Sequence, residues 1–119
     1  MPGSFPNSSF DADDHRAFNR EGQAFDKGET FSGVNYEVGL KSVEELKAIC
    51  PKKMTMTQFA LRWILMFDAV SCAIPGAKRP EQAEQNCAAA DLPALSDAVM
   101  KKVKAIYIDK IKELVHHYW

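Results

Sequence analysis

Apolar residues recur at helical spacing along much of the chain. The clearest run is Met56, Phe59, Ala60, Trp63, Ile64 and Phe67, which fall at i, i+3, i+4, i+7, i+8 and i+11. This spacing predicts a helix from about Thr55 or Thr57 with one packing face. Upstream, Leu40, Val43, Leu46 and Ile49 form a second stripe, and Ser42 with Glu45 makes an S-x-x-E box. A helix is therefore expected to start near Ser42 and to stop before Pro51. Downstream, Pro80 opens a helix to about Ala89. Ser96, with Leu95 placed as a staple, opens another that carries Met100, Val103, Tyr107, Ile111 and Leu114 on one side.

Between these helices lies Val70-Ser71-Cys72-Ala73-Ile74, short, apolar and closed by Pro75-Gly76. Such a run predicts a strand buried on both faces, as in parallel sheets, with Cys72 a small buried hydrophobe. The expected class is α/β, mostly helical with one clear strand. A parallel strand cannot satisfy its own backbone groups, so this element demands neighbours. Residues 1–39 are rich in Gly, Pro, Ser, Asn and Asp, with Phe5, Phe10, Phe18, Phe25 and Phe31 at no regular period. They predict a long irregular loop that covers a ligand or another face of the protein. Residues 40–119 then hold helix, helix, strand, turn, helix and a C-terminal helix, all within a single domain.

Composition removes several classes of function. The 119 residues are 46% apolar and 26% charged, ordinary for a globular domain. Fifteen basic against sixteen acidic side chains leave a net charge of −1, which argues against a nucleic-acid or membrane surface built on bulk charge. Cys50, Cys72 and Cys87 are odd in number and lack CxxC spacing, so neither a disulfide framework nor a zinc site is expected, and a reducing, cytoplasmic setting fits. The start of the sequence, MPGSFPNSSFDADD, has no basic segment followed by an apolar one, and no apolar run approaches the ~20 residues that span a bilayer.

Any anion site must then be local, and the stretch AIPGAKRPEQAEQN supplies a candidate. A helix N-terminus after Pro-Gly offers free N–H groups and the positive end of the helix dipole. Gly76 permits close backbone approach, and Lys78 and Arg79 add full charges where a phosphate would sit.

The longer stretch TMTQFALRWILMFDAVSCAIPGAKRPEQAEQN resembles the last βα segment of the aldo-keto reductases, with its ALRW helix, final barrel strand, IPG turn and PEQ helix. DDHRAFNREGQAFDKGETFSGV and LPALSDAVMKKVKAIY are similar to the same family. The resemblance covers the whole chain but only the C-terminal third or so of the family's protein. It implies the C-terminal segment of a (β/α)8 barrel, typically ~250 residues or more, here truncated and incomplete. It also implies an NADP(H)-linked oxidoreductase lineage acting on aldehydes and ketones.

Carried over by position, Gly76 and Lys78 match residues near the 2'-phosphate, with Ala77 contributing backbone. Gln82 matches a helix residue that reaches the same region, and Gln85 and Asn86 match a Glu-Asn pair that holds the adenine. Gln85 keeps an acceptor but lacks the usual charge. Gly76, where many members carry Lys, places the chain nearer the branch with bacterial reductases and potassium-channel β subunits. Arg16 matches an arginine that covers the pyrophosphate, and Ser4 in PGSF stands where relatives often carry a cofactor-contacting lysine.

The family's catalytic Tyr, Asp, Lys and His lie on earlier strands, and Tyr36, Tyr107 and Tyr118 match non-catalytic segments. The expectation is a partial NADP(H) site without the catalytic tetrad, inactive alone. The alternative is a non-enzymatic helical module whose apolar surfaces are covered by a protein partner or a second copy. Asp13-Asp14-His15 suggests hydrated surface and not metal ligands, and His116-His117 a tail in which Tyr118 and Trp119 pack against something.

Overall fold

A computed structural model of the chain describes residues 10–118. Ser4 and Trp119 lie outside them. The described residues form helices and turns and contain no strand, which overturns the α/β expectation and the barrel segment it implied. Residues 70–77 run without helix, turn or bend, but among the described residues no strand pairs with them. Val70 donates its N–H back to the Phe67 carbonyl at 2.9 Å, and Ile74 is 94% exposed. The apolar pattern was that of a buried strand, but a strand exists only with a ladder partner. Cys72 is exposed, not buried, for the same reason.

The chain divides into two compact units, one made of residues up to Leu46 together with those from Lys104 onward, the other Lys47–Val103. In the first, the segment expected to be an irregular loop contains helix α1 (His15–Phe18) and turns of 3₁₀ helix at Lys27–Glu29 and Phe31–Gly33. Its organising residue is Asn19, fully buried. The Asn19 Oδ1 accepts the N–H groups of Ala24 at 3.0 Å and Phe25 at 2.9 Å, while Nδ2 donates to the Thr30 hydroxyl at 3.1 Å and the Asp26 carbonyl at 3.4 Å. One amide thereby closes a loop that has little apolar burial of its own.

Phe31 and Ser32 take left-handed φ values of 50° and 55°, which cost on the order of 1 kcal/mol each for residues with a Cβ. The Phe31 ring is held against Tyr36 at 4.9 Å and Phe10 at 6.0 Å, contacts that offset this cost.

Helix α2 (Tyr36–Ile49) starts well before Ser42. Asn35 Oδ1 accepts from Glu37 N at 3.0 Å and Val38 N at 3.3 Å, so the cap is Asn35. Ser42 sits inside the helix, buried, and its hydroxyl donates to the Val38 carbonyl at 2.8 Å. The C-terminal part of this unit includes a wide π turn (Tyr107–Ile111), helix α6 (Lys112–Val115) and a 3₁₀ turn (His116–Tyr118). Lys110 Nζ reaches Glu45 Oε1 at 3.1 Å, and the Tyr107 hydroxyl is hydrogen-bonded with His116 Nδ1 at 2.8 Å. His116 is thus tied down, where a tail was expected.

In the second unit, α3 (Met56–Ile64) carries a capping box: Gln58 N donates to Thr55 Oγ1 at 3.2 Å and Thr55 N to Gln58 Oε1 at 3.1 Å. Phe59 and Leu61 are buried, while Ala60 and Phe67 of the expected stripe are exposed. α3 packs on α4 (Pro80–Ala88) and on the turn Ala89–Asp91, with Ala89 fully covered and Leu95 buried beyond it. α5 (Asp97–Ile106) follows, and Ser96 Oγ accepts from Val99 N at 3.3 Å.

Replacing Asn19 by Ala removes the acceptor of the Ala24 and Phe25 amides and takes the Asn19 donor from the buried Thr30 hydroxyl. The expected loss is about 2 to 4 kcal/mol. Urea unfolding measures it, and hydrogen exchange should show lost protection at those two amides.

Candidate functional site

The stretch Pro75-Gly76-Ala77-Lys78-Arg79 enters α4 through a turn that the sequence builds from two residues. Pro80 at the first helical position presets φ and carries no N–H. Gln82, two positions on, turns its carboxamide back, and Oε1 accepts the N–H of Lys78 at 2.8 Å and of Arg79 at 3.1 Å. This is half of a capping box. The other half is absent because the residue at the cap, Arg79, has no side-chain acceptor. The Arg79 carbonyl accepts from Gln82 N at 3.0 Å and Ala83 N at 3.3 Å. Among the described residues the Glu81 amide is then the donor of the first turn without a protein acceptor.

The side chains of Lys78 and Arg79 are exposed, and among the described residues no carboxylate pairs with either. Their backbone is fixed by Gln82 while their charges stay available. Asn86 reaches back over the turn, Nδ2 donating to the Gly76 carbonyl at 3.4 Å. Gln85 has its backbone carbonyl on Gln58 Nε2 at 3.4 Å and its side chain exposed. A Cβ added at Gly76 would meet nothing within 4 Å, and its φ is not left-handed. Nothing in the packing of this chain requires glycine there.

The structure therefore gathers Gly76, Ala77, Lys78, Gln82 and Asn86 in one turn, with Gln85 on the helix that leaves it. Arg16 belongs to the other unit, and its charge is committed. Its Nε lies 2.9 and 3.2 Å from the two carboxylate oxygens of Asp14, Nη2 joins the same pair, and the guanidinium stacks 4.5 Å from the Phe10 ring centroid. The Arg16 hydrogen bonds, to its side chain and its N–H, hold the Asp14 carboxyl well below the usual carboxylate range. The same carboxylate caps α1, so Asp14 is occupied as a structural group.

Among the described residues no group of three or more His, Cys, Asp or Glu side chains is placed to hold a metal ion. No helix among them is long and apolar enough to cross a membrane. Cys50 donates weakly to the Pro51 and Met54 carbonyls, and burial pushes its thiol pKa up, which makes it a poor nucleophile.

Sequence reasoning treated Gln82 as a ligand contact and missed that its oxygen builds the turn. The signal was present, since glutamine is one of the two residues favoured at the third helical position of a capping box.

Comparison with protein families matches residues 6–108 to the aldo/keto reductase family. The match spans most of the chain, and the chain belongs to that family. No curated protein and no solved structure gives a match.

Gln82→Ala should free the Lys78 and Arg79 amides and destabilise the start of α4 by about 1 kcal/mol. Amide exchange at those residues checks this. Gln82→Glu, which keeps the acceptor, should preserve their protection.

Proposed function

We propose that this chain supplies an adenine-end binding turn for NADP(H), with the 2'-phosphate held by Lys78 and Arg79. Members of its family generally bind this dinucleotide, and the lineage is that of oxidoreductases. The observation that carries the reading is a pair of exposed cations, without a carboxylate partner among the described residues, on a turn whose shape Gln82 has already fixed. A phosphate monoester suits this donor set. The Lys78 and Arg79 amides are spent on Gln82, so the contacts fall to the two side chains, with the Glu81 N–H as a backbone donor.

Gly76 and Ala77 leave the backbone open to approach. Asn86 keeps its Oδ1 and one amide hydrogen for the hydrogen-bonding edge of a purine, and Gln85 offers an exposed carboxamide next to it. Arg16, held by Asp14, is given no role. When bound, NADP(H) supplies the hydride for carbonyl reduction. The family's Tyr, Asp, Lys and His are assigned to no residue here, so the proposed role is binding without turnover by this chain alone. The free thiols suit a reducing compartment such as the cytoplasm.

A second reading, a non-enzymatic interaction module, is favoured by Ile74, 94% exposed in a stretch with no partner strand among the described residues. Titration calorimetry with 2'-phospho-AMP against AMP separates the two. A phosphate-binding turn predicts preference for the phosphorylated ligand, reduced on Lys78→Ala by roughly ten- to hundredfold. Gly76→Ala, which costs the fold nothing in packing, should weaken binding only if the ligand passes close to that backbone. Equal affinity for both ligands would refute the nucleotide reading.

A further inference from the structure

The segment from Val70 to Ala77 has a pattern that specifies what would cover it. Extended backbone sends alternate N–H groups to opposite edges. One edge carries those of Val70, Cys72, Ile74 and Gly76; the other carries those of Ser71, Ala73 and Ala77, interrupted by Pro75, which has none. Among the described residues the backbone N–H groups of Ser71–Ile74, Gly76 and Ala77 have no acceptor, whereas that of Val70 is turned back to Phe67. From the Val70 carbonyl to the Gly76 N–H the first edge is therefore a row of donors and acceptors fit for pairing, with the Gly76 carbonyl beyond it taken by Asn86 Nδ2, and the second is broken by proline.

Charge selects the partner and its direction. Between Asp68 and Lys78 no residue is charged. A second copy laid parallel would set Asp68 beside Asp68 and Lys78-Arg79 beside Lys78-Arg79. Laid antiparallel about a two-fold axis at Ala73, it brings Asp68 of each copy to the Lys78-Arg79 end of the other.

We infer that two copies of this chain pair antiparallel through Val70–Gly76, with Ala73 facing Ala73 across the axis. In this register Cys72 lies opposite Ile74 and Val70 opposite Gly76 as hydrogen-bonded pairs, giving about six bonds between copies. Pro75 then stands opposite Ser71 in a non-bonded pair, where its missing N–H costs nothing. Shifting the centre to Cys72 shortens the ladder, because Pro75-Gly76 runs past the end; shifting it to Ile74 keeps the number of bonds but draws on the Gly76 carbonyl, which already accepts from Asn86 Nδ2, and sets Asp68 opposite Pro80 instead of Lys78. The outer edge of each strand presents Pro75, which blocks a third copy and closes the assembly at two. Ile74, exposed in the single chain, gains cross-strand neighbours. The pairing deepens the interaction-module reading and does not depend on nucleotide binding.

The test is sedimentation equilibrium of the full chain, in thiol reductant, from about 10 µM to about 1 mM, the range suited to so small an interface. A monomer–dimer equilibrium is expected. Asp68→Lys should weaken it roughly tenfold, and adding Lys78→Asp should restore it. Cys72→Pro should abolish the dimer, whereas Ser71→Pro, whose N–H faces outward, should keep it. Helical circular dichroism confirms that each variant is folded. A monomer at every concentration, or a dimer indifferent to Cys72→Pro and Asp68→Lys, would overturn the inference. Neither result bears on the phosphorylated-ligand preference, which is measured on dilute monomer.

Discussion

The backbone of residues 70–77 sets the terms for the rest of this molecule. An extended segment directs its N–H and C=O groups sideways, where only a neighbouring strand or water can meet them, and the described residues supply no such strand. A parallel sheet would also be the surface on which flanking helices bury their stripes. Without it α3 and α4 pack on each other and on the Ala89–Asp91 turn, and among the described residues the buried apolar side chains are Phe59, Leu61, Ala89, Leu95 and Val115. Phe67, Ile74, Ile108 and Leu114 remain exposed because the helical and strand patterns they belong to were written for a larger core than these residues enclose.

What keeps the irregular parts in shape is instead short-range hydrogen bonding from carboxamides. Asn19 ties four groups between residues 24 and 30, and Gln82 ties two at the entry to α4. Asn35 does the same for the first turn of α2. Each acts within about a dozen residues of chain, so none requires a sheet to be present. This explains how the turn that carries Lys78 and Arg79 can have a definite geometry although the segment leading into it has no partner strand among the described residues. The determinant of the turn lies downstream, in the helix, and travels with it.

The sequence was legible where a signal is local and failed where meaning depended on a partner. The family resemblance rested on a dense local string around the turn, and the family match over residues 6–108 bears it out. The strand was misread because Val-Ser-Cys-Ala-Ile states a propensity, while a strand is a relation between segments. The start of α2 was misplaced because S-x-x-E occurs both at caps and inside helices. Nothing in Ser42-Val43-Glu44-Glu45 distinguishes the two, but Asn35, as favoured at a cap as serine, precedes it. Asn19 was invisible for a different reason: its four partners are backbone groups and a threonine, which leave no periodic trace, and a loop asparagine looks the same whether buried or wet. Gln82 was singled out by the resemblance and by the N3 rule alike, but only the geometry shows that its oxygen faces its own chain.

The two roles argued for this region meet at Lys78. As a phosphate-binding residue it needs to remain free of carboxylates, and as the end of a self-paired strand it lies beside Asp68 of the second copy. Both interactions draw on the same charge, so the two equilibria are linked, and the linkage is reciprocal: whatever a phosphorylated ligand gains from Lys78 in the monomer it must forgo or share in the pair. The sign of the coupling is negative and its size is bounded by one charge-assisted contact per chain, about 1.5 to 3 kcal/mol. Arg79 softens it, since a second cation adjacent to the first lets one bind phosphate while the other faces Asp68. A turn with a single lysine would make the two states exclusive; Lys78-Arg79 makes them competitive but compatible, which is the physical consequence of having two positive charges where the opening segment ends.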